Sequence, residues 1–236
     1  GSAAVLQLDM TAAASIVKRE NTRVAKLIGI NKAARTTCVK PAGTTSLVLG
    51  TSSGIHAWHN NYYIRRLRVG KNEPIYKYLK LHNPDLVQDE YFRPHDTAVI
   101  EIPQSAPDGS ILRTESAFDL LKRVKKVATE WVKPGHRKGS NTHNVSATIS
   151  LKAEDWDKAG KWMWDNRECY NGLSVLPYDG GTYTQAPFED ITKTEFNKRV
   201  KSLNYINLSN IVETTDETDL SGELACAGGS CEITGL

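Results

Sequence analysis

Two stretches of the 236-residue chain carry side chains whose type and spacing could do chemistry. The first is Lys40-Pro41-Ala42-Gly43-Thr44-Thr45-Ser46, which runs through the apolar Leu47-Val48-Leu49 into Thr51-Ser52-Ser53-Gly54-Ile55-His56. Pro41 sets φ, Gly43 lets the backbone approach a ligand closely, and Thr44, Thr45 and Ser46 place three hydroxyls where a helix could begin. Backbone N–H groups at a helix start, with hydroxyl donors beside them, bind an anion such as phosphate without a lysine in contact. Read locally, the same residues also make a turn followed by an N-cap.

The second stretch is Cys226-Ala227-Gly228-Gly229-Ser230-Cys231, two thiols five positions apart across a glycine pair that lets the loop close a disulfide and reopen it. A structural staple there would close too small a ring to restrain much chain. A zinc site needs two further ligands, and no histidine follows His143. A dithiol on a flexible arm, which reduces something elsewhere and is recharged by thiol exchange, fits the position best. Cys38 and Cys169 are isolated and read as small buried hydrophobes. No metal site is expected.

The elements that must position these residues follow from periodicity. Residues 11 to 28 read as an amphipathic helix with Thr11 as N-cap, Ala13, Ile16, Val17, Val24, Leu27 and Ile28 near helical spacing, and Gly29 as terminator. Residues 35 to 40 read as a short strand delivering the first stretch. Residues 62 to 69 are a strand in which Tyr62 and Tyr63 pack, 74 to 82 a helix, and 97 to 102 a strand bounded by Pro94 and Pro103. Ser116 caps a helix whose stripe runs from Phe118 to Trp131 and ends at Pro134-Gly135. A strand over 143 to 150, a helix over 153 to 166, a strand over 172 to 176 and a helix over 192 to 203 complete the order. Trp156, Trp162 and Trp164 on the helix over 153 to 166 read as packing residues. Strands alternating with helices imply an α/β fold with largely parallel pairing, with ligand loops at the carboxyl ends of strands.

Composition bounds the partners. The chain is 39% hydrophobic and 24% charged, and no window holds the run of about 18 apolar residues a membrane helix needs. It is read as cytoplasmic, with no membrane partner. Six acids and no bases follow Lys201, so the positive charge lies in the body, which suits a polyphosphate or nucleic-acid ligand, and the acidic tail reads as flexible. The chain begins Gly1-Ser2 rather than with methionine, and is read as a trimmed chain or a piece of something longer.

Taken together in order, Ala34-Arg35-Thr36-Thr37-Cys38-Val39-Lys40-Pro41-Ala42-Gly43-Thr44, Ser53-Gly54-Ile55-His56, Tyr63-Ile64-Arg65-Arg66-Leu67-Arg68, Ser174-Val175-Leu176-Pro177-Tyr178-Asp179-Gly180-Gly181, Gln185-Ala186-Pro187 and the final cysteine pair resemble the C-terminal part of the ribonucleotide reductase large chain. In detail the chain looks like the monomeric adenosylcobalamin-dependent, or class II, ribonucleoside-triphosphate reductases. The resemblance implies that residues 1–205 form part of a ten-stranded α/β barrel and that 206–236 form a tail carrying the redox dithiol. It implies that Ala42, Gly43, Thr44, Thr45 and Ser46 bind the phosphates of a ribonucleoside tri- or diphosphate, and that Cys226 and Cys231 re-reduce the active site after each turnover, recharged by thioredoxin or another dithiol. The implied reaction replaces the ribose 2′-hydroxyl with hydrogen by radical chemistry begun on adenosylcobalamin, which would be bound with an N-terminal portion.

Two departures shape the reading. The family's Asn-Pro-Cys-Gly-Glu segment, with its radical cysteine, is not found: Asn83-Pro84 is followed by Asp85. The tyrosine pair of the class I chains is not matched near Tyr183, which stands between Thr182 and Thr184. The first departure implies that activity needs an N-terminal partner. The second favours cobalamin over a radical-generating subunit. A catalytically inactive nucleotide- or phosphate-binding module of the same fold is the alternative, and no nucleic acid is expected as a partner. An incomplete barrel is expected to leave strand edges and apolar faces bare, so that the isolated chain self-associates.

Overall fold

In the computed structural model, which describes residues 3–178, 180 and 183–212, the helices are α1 (Ala3–Leu6), α2 (Met10–Ile28), α3 (Gly43–Val48), α4 (Pro74–His82), α5 (Ala117–Val127), α6 (Trp156–Asp165) and α7 (Lys193–Ser202). The strands are β1 (Tyr62–Gly70), β2 (Val87–Asp89), β3 (Thr97–Ser105), β4 (Thr148–Leu151), β5 (Ser174–Pro177) and β6 (Phe188–Asp190). The fold is mixed α/β. Two compact units separate: one takes residues up to Trp58 with Asp108–Tyr178, the other His59–Pro107 with the described residues after Tyr178.

The first unit is built on α2, α3, α5 and the β4–α6–β5 run. Ser116 caps α5 as its hydroxyl accepts from Asp119 N–H while the Asp119 carboxylate accepts in return, a full capping box. The buried stripe of α5, Leu120, Leu121, Val124 and Val127, continues through a π-helical turn at Ala128–Val132 and packs on Val145, Ala147, Ile149 and Leu151. β4 and β5 pair in parallel, Thr148 opposite Ser174 through Leu151 opposite Pro177, with α6 as the crossover.

Five expectations fail in this unit. Asp9 rather than Thr11 caps α2, accepting from Ala12 N–H, because Thr11 sits inside the first turn and donates to Glu130 O instead. The face that α2 buries is Ala14 and Ala25, beside polar Asn21 and Thr22 that bond Arg137. Ile16 and Leu27 lie 55% and 74% exposed, on the side of the helix turned from this packing. Residues 35 to 40 form isolated bridges, Arg35 with His136 and Val39 with Val145, in place of a strand. Side chains hold the segment: Thr37 Oγ1 donates to Trp131 O and Trp131 Nε1 donates to Cys38 O. Extended backbone that buries Thr37 turns the next side chain outward, so Cys38 is exposed, and Cys169 is half-buried. Of Trp156, Trp162 and Trp164, Trp162 packs against the core and stacks on Tyr170, whereas Trp156 is 42% exposed and Trp164 is 69% exposed with the Arg167 guanidinium over its ring.

The second unit is a four-stranded sheet in the order β2-β3-β1-β6, antiparallel at every pair, which corrects the parallel expectation. The reason lies between β1 and β3: α4 returns the chain, and β2 and β3 then form a hairpin, so β3 enters against β1. β3 also runs on through Pro103, which is tolerated because β2 stops pairing at Ile100 and leaves that edge without a ladder to break. Val69, Leu79, Leu86, Val87, Ala98 and Ile100 are its core, with Leu203 and Ile206 packed against them.

Candidate phosphate site

The segment from Arg35 ends at Lys40-Pro41, and the chain turns at once into α3. Ser46 N–H donates to Ala42 O at 3.3 Å and Leu49 N–H to Thr45 O at 3.0 Å, and Thr51 N–H closes the far end on Ser46 O at 2.9 Å. Helix geometry gives the N–H groups of the first turn no partner within the helix, so the start of α3 presents donors to an anion. Thr45 is exposed beside them. Ser46 is different: it is 7% exposed, and its hydroxyl donates back to the Ala42 and Gly43 carbonyls, which supports the turn. The side chain of Thr44 lies outside the described residues.

Behind this turn stands the return segment Ser53–His56. Gly54 has φ +58°, and a Cβ there would stand 3.3 Å from Pro41 N and 3.4 Å from Lys40 O, so the two backbones touch. His56 is held at both ring nitrogens. Thr148 N–H donates to Nε2 at 3.1 Å, so that nitrogen carries no proton, and Nδ1 lies 2.9 Å from Ser53 O and donates to it. Burial pushes the ring below its ordinary pKa of 6.5, outweighing the Ser53 bond that acts the other way. With both nitrogens engaged, His56 offers neither a free acid nor a free base. Arg123, on α5 and 6% exposed, donates from Nη1 to Ile55 O at 2.8 Å and pairs with Glu115. The arrangement can grip an anion, and neither His56 nor Arg123 is placed in it for proton transfer.

The other segments singled out in the sequence fall mostly in the second unit. Arg65 and Arg66 are consecutive in a strand, so their side chains leave opposite faces and at least one must enter packed protein. Arg65 is 1% exposed with its guanidinium 4.4 Å from the Phe188 ring centroid. Arg66 donates to Glu101, which is directly across β3, to Glu189 and to Ala186 O. Burial disfavours the Arg66 charge, yet the hydrogen bonds to Glu189 and Glu101 outweigh it and hold the guanidinium above its ordinary value. Gln185 takes the left-handed conformation, φ 55°, and its amide bonds Asp89 O at 2.8 Å and Tyr91 N–H at 2.9 Å, acting as a short extra rung on β2. The Arg65–Arg66 doublet was a legible signal of buried charge; the Gln185 conformation had none.

Cys226 and Cys231 lie outside the described residues, as do Asp179 and Gly181. Among the described residues no three His, Cys, Asp or Glu side chains gather to hold a metal ion, and no helix is long and apolar enough to cross a membrane.

No family model matches the chain. Its curated relatives include adenosylcobalamin-dependent ribonucleoside-triphosphate reductases from Lactobacillus delbrueckii subsp. bulgaricus, 28% identical over 222 residues, and from Euglena gracilis, 28% identical over 214. The first match covers 88% of this chain and 28% of the relative, the second 86% and 27%. The chain thus spans little more than a quarter of the length of the relatives it matches. A crystal structure of a B12-dependent, class II ribonucleotide reductase shares the fold with TM-score 0.65 and 24% identity, over 80% of this chain and 27% of the other. The resemblance carried by the ordered segments is therefore found again across most of the chain.

Proposed function

We propose that this chain is the C-terminal part of a class II ribonucleotide reductase, and that it supplies the grip on the substrate's phosphates and the dithiol that restores the active site. The observation that carries the reading is the similarity over 88% of the chain to reductases named for ribonucleoside triphosphates and adenosylcobalamin. The substrate is a ribonucleoside triphosphate or diphosphate, whose phosphates sit at Ala42, Gly43, Thr44, Thr45 and Ser46. The start of α3, with Thr45 exposed beside it, and the close support of Pro41 by Gly54 favour that role. Residues 1–205 contribute to a ten-stranded barrel completed by an N-terminal portion, and residues 206–236 carry the dithiol. The bare Ile16 and Leu27 on α2 agree with an incomplete body.

When bound, adenosylcobalamin supplies the radical chemistry. At the candidate site His56 does not fit it as a ligand, because it spends both ring nitrogens on Ser53 and Thr148. What this chain contributes is anion binding and thiol exchange. In the exchange, Cys226 and Cys231 give two electrons and two protons to a disulfide formed in the active site. They become a disulfide themselves, and thioredoxin or another dithiol reverses that by the same two-electron step.

The test combines the chain with its N-terminal portion, adenosylcobalamin and a reductant, and measures 2′-deoxynucleotide. Cys226→Ser should abolish turnover supported by thioredoxin and spare turnover supported by a small dithiol. Equal turnover with both reductants would remove the shuttle role. A second reading, an inactive nucleotide-binding module, is favoured by His56, whose two ring nitrogens behind α3 are both engaged. Calorimetry with a ribonucleoside triphosphate separates them, since the module binds in the assembled form without turnover.

A further inference from the structure

The geometry points to Arg123 as the positioning residue of the phosphate loop: its buried guanidinium, held by Glu115, fixes Ile55 O and so locks the return segment on which the start of α3 rests. This builds on the phosphate-binding reading of Ala42 to Ser46. Arg123 itself does not face an anion, because it is 6% exposed and its charge is already matched by Glu115, whose side chain is 13% exposed. It acts through backbone. Nη1 serves both Ile55 O at 2.8 Å and Glu115 Oε1 at 3.1 Å, while Nη2 serves Glu115 Oε2. Only a planar fork can meet a carboxylate side-on and a carbonyl at once; a lysine would have to choose.

The consequence passes along four residues. Ile55 O is fixed to α5 by Arg123, and His56 is fixed to the start of β4 by Thr148 N–H and to its own turn by Ser53 O. Between these anchors and Pro41 stands Gly54, with no room for a Cβ at ordinary distance from Pro41 N. Ser53–His56 is therefore a wall behind the proline that opens the loop. A wall free to shift would let Pro41 and Ala42 move, and with them the N–H groups of Gly43, Thr44 and Thr45. An anion site made of backbone donors loses affinity when those donors are no longer held in common aim.

The test uses the full chain and two readouts: calorimetric binding of inorganic tripolyphosphate, and hydrogen exchange at the Ser46, Leu49, Thr51 and His56 amides. The informative variant is Arg123→Met with Glu115→Leu, since exchanging a buried ion pair for apolar residues of similar volume leaves stability largely intact while removing the donor to Ile55 O. Binding is expected to weaken about tenfold or more, the change that losing a hydrogen bond to a charged group corresponds to, and the four amides to exchange faster by a similar factor. Leu121→Ala on the same helix is the structural control. It should lower Tm yet leave those amides no faster than the rest of the unit. Tripolyphosphate affinity within twofold of wild type together with unchanged exchange in the double variant would overturn the proposal. So would equal loosening in Leu121→Ala. If the double variant does not fold, Arg123→Lys decides by the same readouts: faster exchange at His56 and Thr51 supports the proposal, wild-type exchange ends it. Wild-type chain that binds no tripolyphosphate would sink the phosphate-binding reading, and the exchange comparison would still decide whether Arg123 holds the loop.

Discussion

Glu101 is the residue whose removal the second unit should feel most. It is 2% exposed and accepts from two arginines: Arg66 Nε at 2.7 Å from the facing strand, and Arg199 Nη1 at 3.2 Å from α7. Glu101→Leu keeps the volume and removes the charge. Breaking a buried ion pair by deleting one partner costs about 3 to 5 kcal/mol, because the remaining charge is left uncompensated. Here the lower end applies, since Arg66 keeps Glu189 and Ala186 O, and Arg199 keeps Glu195 and is itself 31% exposed in its side chain. The expected loss is thus about 3 kcal/mol. With a urea m-value of about 2 kcal/mol/M, the midpoint should fall by about 1.5 M with m unchanged. Adding Arg66→Met to Glu101→Leu should recover part of the loss, because it removes the stranded cation. A loss below about 1 kcal/mol for Glu101→Leu, or no recovery in the pair, would refute the claim that the sheet is held by this network.

Three further perturbations test other parts of the structure. His56 is neutral when folded, with a pKa below the ordinary 6.5. Between those two values the unfolded chain binds more protons, so the stability His56 contributes is complete above pH 6.5 and is lost as pH falls from there toward the folded value. Urea unfolding from pH 8 to 5 should show the gap between wild type and His56→Gln shrinking below pH 6.5, and a flat gap would contradict a buried imidazole whose pKa lies below its ordinary value. At Gly135 an added Cβ would lie 1.9 Å from Thr37 Oγ1, which is itself held on Trp131 O and Val132 O. Gly135→Ala should therefore cost about 2 to 3 kcal/mol in chemical denaturation by forcing the backbone apart. At Gln185, alanine keeps the left-handed strain and loses both amide bonds while glycine loses only the bonds, so Gln185→Ala should be less stable than Gln185→Gly by about 1 kcal/mol in Tm-derived free energy.

Where the sequence was readable, the reason was local. α4 begins at Pro74 because proline suits the first helical position, α5 begins after Ser116 because Ser116 and Asp119 satisfy each other's backbone donors, and Thr192 caps α7 through Glu195 N–H. The turn from Pro41 into α3 was legible for the same reason, and the ordered segments pointed to the reductases later found among the relatives. Each of these depends on residues within a few positions of one another.

What only the tertiary structure decided depends on partners far away in the chain. Strand direction was misread because period-2 alternation looks the same in parallel and antiparallel sheets; the β2–β3 hairpin and the Arg66–Glu101 pairing set it. Ile16 and Leu27 fit a helical stripe, yet the packing of α2 is won by Ala14, Ala25 and the polar contacts with Arg137. Cys38 is exposed because its neighbour Thr37 took the inward position. Around the candidate site, the sequence by itself determined a turn whose backbone donors can meet an anion. That the turn is backed by Ser53–His56, and that Arg123 on a helix 68 residues further on fixes it through one carbonyl, follows from burial, which makes a charged group seek its partners wherever the fold brings them.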